Sequence, residues 1–192
     1  MTWLTFLIAV LLVAGPAAAN EKNSVYTSLD LDACRQEPLN ADDPVDGGTW
    51  WCDGYEGMPV RVSEGDLRFF VSYGEAAAGE IAATQTPPAF NTINTTLEWR
   101  LELGRDDGRW HAFATILRFF TDAGEGTARG QFLVITKLGG PGQICHIGTV
   151  NALLNPDANV LARQVADEAA AGFVCGVDGP LEFGLVGDDA QE

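Results

Sequence analysis

The stretch from Gln143 to Cys175 constrains the fold more tightly than any other part of the chain. It reads as strand, turn, helix and return. Gln143 to Asn151 (QICHIGTVN) is rich in β-branched residues and predicts a strand. Asn155-Pro156-Asp157 spells a helix start, with Asn155 as N-cap, Pro156 at the first helical position and Asp157 near the positive helix end. The helix is expected to reach about Ala171 and to stop at Gly172. A strand leaving Cys145 covers roughly 20 Å at its extended rise. The helix returns about 24 Å in the opposite direction. Cys175 therefore arrives near Cys145, and a disulfide between them would lock helix to sheet.

That pairing requires an oxidising compartment, and the start of the chain supplies an address. Trp3 to Val13 is almost unbroken apolar sequence, and Ala17-Ala18-Ala19 follows Gly15-Pro16. This is the pattern of a secretory signal peptide over residues 1–19, although no Lys or Arg precedes the apolar run. It is short for a transmembrane helix, an uncleaved membrane anchor being the alternative, and no later stretch is apolar enough to span a membrane. Residues 20–192 are then expected to form a single domain, periplasmic or secreted. All four cysteines, Cys34, Cys52, Cys145 and Cys175, lie in that part. An even count in an exported chain implies disulfides. The favoured pairing is sequential, Cys34 with Cys52 and Cys145 with Cys175. No C-x-x-C spacing suggests a zinc site.

The leader carries no charge, so the mature protein keeps the full net charge of −16. That argues against nucleic acid, whose phosphates need Lys and Arg, and against anionic membrane surfaces. It permits attraction to a basic protein or to divalent cations. Solubility alone is the plainer explanation.

Taken in order, Val25 to Asp32 alternates and predicts a first strand. Gln36 to Gly48 is a Pro- and Asp-rich loop. Thr49 to Asp53 (TWWCD), Met58 to Ser63 and Leu67 to Tyr73 predict three more strands, the first two joined by a turn at Gly54 to Gly57. Gly74 to Asn94 is long for an ordered loop and reads as a lid, a flap or disorder. Thr95 to Leu103 is the cleanest strand, with Leu97, Trp99, Leu101 and Leu103 pointing in and Glu98, Arg100 and Glu102 pointing out. Trp110 to Thr121 is apolar on both faces, so it should be central or covered by the helix. Gln131 to Leu138 and the strand holding Cys145 follow. About eight strands and then one helix predict an α+β fold: an antiparallel meander curved around or packed on a C-terminal helix. The tail from Gly184 is acidic and expected to fray.

Motifs for catalysis are absent: no G-x-S-x-G, no P-loop, no H-E-x-x-H. Cys145 and His146 are neighbours, but adjacent strand residues point to opposite faces, which argues against a nucleophile–base pair. His111 and His146, the only histidines, are too few for a histidine-only metal site. Asp42, Asp46, Gly47 and Asp53 fall at calcium-loop positions, but Pro44 interrupts the series and no helix flanks it. No cofactor is implied. The acid pairs Glu64 with Asp66 and Asp106 with Asp107 sit in turns and read as solvated. The aromatic residues are more suggestive. Trp50, Trp51 and Tyr55 cluster around Cys52, and Trp50 and Trp51 must face opposite ways on a strand. One should pack inside, and the other is a candidate binding anchor.

The pieces WWCDGY, VRVSEGDLR, FATILRFF and CHIGTVNA with NPDAN resemble an uncharacterised family of exported bacterial proteins, a likeness covering most of the mature chain. It implies a bacterial periplasmic or secreted address and gives no residue a role. A cysteine-tied, acidic sheet is also loosely similar to periplasmic lysozyme inhibitors. The functional expectation is therefore a protein-binding or interaction module of the cell envelope, with Trp50, Trp51 and Tyr55 as binding residues. A cell-envelope hydrolase or an inhibitor of a cationic protein is the alternative.

Overall fold

The structure, a computed structural model, describes residues 21–38, 47–122 and 129–184. The apolar leader, Asp42 and Asp46 of the acidic loop, and the tail beyond Gly184 lie outside the described residues. Within them the chain forms β1 (Lys22–Ser28), β2 (Arg35–Gln36), β3 (Gly47–Asp53), β4 (Pro59–Gly65), β5 (Arg68–Tyr73), β6 (Phe90–Leu103), β7 (Trp110–Asp122), β8 (Gly130–Lys137), β9 (Cys145–Asn151), α1 (Ala158–Ala169) and β10 (Leu181–Phe183).

The fold is α+β, mostly sheet with one helix. The expected meander divides into two sheets, one of six strands in the order β1-β6-β7-β8-β9-β10 and one of four in the order β2-β3-β4-β5. Neighbours pair antiparallel except β9 and β10, which run parallel and are linked through α1. The larger sheet is the middle layer. On one face, Leu97, Trp99, Leu117, Phe119 and Val134 pack against Val60, Val62, Val71 and Tyr73 of the smaller sheet. On the other, Ala114, Ile116, Leu133, Ile135 and Val150 lie under Ala158, Ala162, Val165 and Ala166 of α1. This explains why β7 is apolar on both faces: each face has its own cover. Gly148 of β9 sits where the helix comes closest. A Cβ there would stand 2.8 Å from Val165 Cγ1, so a side chain would push the helix off the sheet.

Both disulfides pair as the spacing implied. Cys34–Cys52 joins Cα atoms 4.7 Å apart and fastens β2 beside β3. Cys145–Cys175 joins Cα atoms 5.8 Å apart and ties the start of β9 to the chain leaving α1. Both separations suit unstrained bridging.

Local expectations shift at several points. The helix starts at Ala158 with Asp157 as its cap, not Asn155. Asn155 instead closes the preceding turn, its Nδ2 donating to Asn151 O at 2.8 Å. Strand β1 begins at Lys22 because Glu21 to Ser24 pairs with β6 instead of trailing free. Gly74 to Asn94 is ordered. It makes two short 3-10 turns, Ala77–Gly79 and Ile81–Thr84, and its last residues enter β6. Buried Ala77 and Ala82 anchor it. Buried Glu80 accepts hydrogen bonds from the backbone N–H of Gly142, at 2.9 and 3.0 Å, and of Ile144, at 3.2 Å.

Glu98 and Arg100 do not point to solvent. Their face of β6 lies beneath α1, and both are buried. Arg100 grips Asp167 of the helix through Nε and Nη2, with contacts of 2.7–3.0 Å, while Nη1 donates to Ser24 Oγ at 2.7 Å. Arg163 Nε reaches Glu98 Oε1 at 2.6 Å, and Ser24 Oγ donates to the same oxygen at 2.6 Å. Buried charge is tolerated here because each charged group has an opposite partner and further hydrogen bonds.

Candidate functional site

The aromatic cluster of the sequence is divided by the fold. Alternation along β3 sends Trp50 to the inner face of the smaller sheet and Trp51 to its outer face. Trp51 is half-buried in a shallow depression beside Cys34–Cys52, and its Nε1 donates to Glu37 Oε1 at 2.6 Å. Tyr55 turns inward, its ring 6.3 Å from that of Trp99. Trp99 is fully buried. It donates from Nε1 to Thr27 Oγ1 at 2.8 Å and meets Tyr73 edge-on at 5.8 Å. Burial raises the pKa of the Tyr73 hydroxyl, which keeps it neutral in the core.

Trp50 is half-buried and stacks on Phe69, with ring centroids 6.5 Å apart. Gly48, two residues earlier on the same face, leaves room for this. A Cβ at Gly48 would lie 2.6 Å from the indole. Trp50 and Phe69 form one wall of a groove of about 650 Å³ where the two sheets part. Phe90 at the start of β6 and Phe120 near the end of β7 form the opposite wall, and both are exposed. Glu64 stands at the rim with Asp122 and Arg129, which pair at 3.7 Å.

The hairpin between β4 and β5 brings a further apolar residue to this mouth. Asp66 (φ 53°) and Leu67 (φ 59°) both occupy the left-handed region. Two such residues in succession make the type I′ turn that suits a tight hairpin, and that turn favours Asn or Asp followed by Gly. Leucine in the second place costs on the order of 1 kcal/mol. Its side chain is 63 % exposed, so no burial offsets that strain. Leu67 thus presents an exposed apolar side chain at the mouth of the groove. The tip is fixed to β6, Asn91 N donating to Leu67 O at 3.0 Å.

A second cavity, of about 460 Å³, lies behind the groove under residues 84–89, and buried His146 lines it. Burial depresses the His146 pKa to about 4, so the ring is neutral at physiological pH. His111 is elsewhere, exposed near the start of β7, with Nε2 2.8 Å from Asp107 Oδ2. The backbone N–H of Arg109, donating to Asp107, holds that carboxyl below its usual range, with a smaller contribution from His111. The two histidines therefore do not converge. No group of three His, Cys, Asp or Glu side chains able to hold a metal exists among the described residues. Cys145 is committed to its disulfide and offers no thiolate.

The sequence expectation made the outward-facing tryptophan the binding anchor, whereas the groove is lined by the inward-facing Trp50 and by partners that expectation did not name. Phe69, Phe90 and Phe120 are distant in sequence, and the only local signal was Leu67 in a Glu-Gly-Asp-Leu turn. No described helix is long and apolar enough to cross a membrane. No family model matches the chain, and neither does any curated protein or solved structure.

Proposed function

We propose that the protein is an exported binding module of the bacterial cell envelope whose groove takes an apolar side chain presented by a basic protein. The observation that carries this reading is the set of aromatic rings and the strained, exposed Leu67 at one mouth. Exposed apolar surface of this kind is a mark of interaction sites. Trp50, backed by Phe69, is the rigid anchor such sites use. The net charge of −16 gives the partner its sign, because it steers cationic proteins inward and repels nucleic acid and anionic lipid. Two disulfides support an oxidising compartment and hence export. Trp51 lies on the other face of β3 and has no part in this contact.

The test is capture from cell-envelope extract at about 50 and about 200 mM salt, where screening differs. The wild type is compared with Phe90→Ser and Phe120→Ser. The expected result is retention of a basic protein by the wild type, weakened at the higher salt and lost in both variants. Capture of an acidic protein, or capture indifferent to both salt and the groove, overturns the reading.

A further inference from the structure

The second cavity has a roof, a floor and a buried histidine in its wall. Its roof is the Pro87-Pro88 segment, and its floor is Phe132 and Val134 of β8 with His146 of β9. Glu182 of β10 stands at its edge and is exposed. The roof is built, not draped. Thr86 Oγ1 donates to Phe69 O at 2.6 Å. The Asn91 amide nitrogen has Thr86 Oγ1, Pro87 O and Ala89 O within 2.9–3.2 Å. His146 N donates to Gln85 Oε1 at 2.7 Å, which fastens the roof to the floor strand.

His146 is the group that sets this cavity apart from a packing gap. The residue is 7 % exposed and its ring faces the cavity. No hydrogen bond to that ring is formed among the described residues; its one recorded bond is made by the backbone N–H. A neutral imidazole carries one donor and one acceptor. Neither ring nitrogen is sealed from solvent, so they open toward the cavity, where a bound molecule can take the place of water as hydrogen-bond partner. A volume of about 460 Å³ lies within the range of small-molecule sites.

We infer that this cavity binds a small, uncharged, largely apolar molecule through one hydroxyl or amine group hydrogen-bonded to the His146 ring. Phe132, Val134 and the prolines receive the apolar body of the ligand, the threonines that also line the cavity are uncharged, and His146 orients the ligand's polar group. An anion is disfavoured by Glu182 at the edge and by the protein's charge of −16. A cation finds no carboxylate at the buried end. The inference goes beyond the partner groove and does not depend on it, since Thr121 alone lines both spaces.

The test uses N-phenyl-1-naphthylamine, an uncharged fluorescent probe with one N–H, on the full-length mature protein. Saturable enhancement is expected, with displacement by 2-naphthol. Naphthalene, which lacks the hydroxyl, should displace about tenfold less well, the loss of one hydrogen bond. Anionic 2-naphthoate should be weaker still. The chain has only two histidines, so ring NMR signals are simple to assign. Adding 2-naphthol should move the His146 ring signals and leave those of His111 in place. His146→Phe should keep the fold and abolish the preference for 2-naphthol over naphthalene. Should that variant fail to fold, the His146 signals of the wild type decide the matter. Stationary His146 signals at saturating 2-naphthol, equal displacement by naphthalene or 2-naphthoate, or no saturable binding overturns the inference.

Discussion

Phe69 and Asn91 are joined by a hydrogen bond in which the Phe69 backbone N–H donates to Asn91 Oδ1 at 2.9 Å. One side of this bond faces the groove of Trp50, Phe90 and Phe120, and the other holds the roof over His146. Asn91 is buried and serves both, so one amide positions two surfaces.

Replacing that amide should therefore loosen both. Asn91→Ala strands the Phe69 N–H and the roof carbonyls away from water, and a loss of about 2–4 kcal/mol of unfolding free energy is expected. Urea denaturation measures it. Hydrogen exchange should show faster exchange at Phe69 and over residues 84–89 than in the wild type. A change below about 0.5 kcal/mol would contradict the role given to Asn91.

Two ion pairs of similar length should differ in weight. Arg100–Asp167 closes at 2.7 Å with the Arg100 side chain 8 % exposed, and Arg68–Asp66 closes at 2.6 Å with Asp66 75 % exposed. Asp167→Asn leaves a buried guanidinium without its counter-charge and should cost about 2 kcal/mol or more, after allowance for the partial exposure of Asp167. Asp66→Asn keeps a residue tolerant of the left-handed turn and should change stability by less than about 0.5 kcal/mol. Comparing the two urea midpoints checks the contrast.

Stability should fall with acid in a way traceable to His146. Its native pKa of about 4 lies below the ordinary 6.5. Between those values the unfolded chain takes up a proton that the native state refuses, so unfolding becomes easier as pH falls. The native advantage is complete above about pH 6.5, declines through the window, and levels off below about pH 4 at a loss of about 3 kcal/mol. Carboxylates, including Glu182 on the same cavity, titrate in both proteins. The difference between wild type and His146→Phe isolates the histidine. The two stability curves should run parallel above pH 6.5 and converge in wild-type disfavour below it; curves parallel throughout would refute the assignment.

Opening the disulfide between β9 and the end of α1 should be costly. Cys145 and Cys175 are 30 residues apart in sequence. Losing that closure through the double change Cys145→Ala and Cys175→Ala should remove on the order of 3–4 kcal/mol. The helix should then exchange amide protons faster than β6 and β7, because no backbone ladder joins it to the sheet, only apolar contacts, the Arg100 and Arg163 pairs and hydrogen bonds from Lys22 and Arg118. Calorimetry and hydrogen exchange read the two effects.

Much of the local architecture was legible. Period-two alternation gave Leu97, Trp99 and Leu101 a common face, and the double-sided apolar run in β7 pointed to cover on both sides. Rise per residue along strand and helix brought Cys175 back to Cys145. These features depend on covalent geometry and near neighbours, which a sequence carries directly. The helix start was misplaced by the same reasoning, since Asn155 bonds back to Asn151 O and leaves the cap to Asp157.

The sequence by itself determined that Leu97, Trp99 and Leu101 share a face, that Cys175 returns near Cys145 and what sign of net charge the chain bears. Only the tertiary structure decided what covers each face. Glu98 and Arg100 read as solvent-facing because alternation separates two faces without saying what lies over either, and α1 lies over theirs. Trp50 became a groove wall, and His146 the buried histidine in a cavity wall, through contacts with Phe90, Phe120 and the Pro87-Pro88 segment, each many residues away. Such contacts follow from the packing of whole layers against one another, a long-range balance of burial and hydrogen bonding that no local pattern in the chain records.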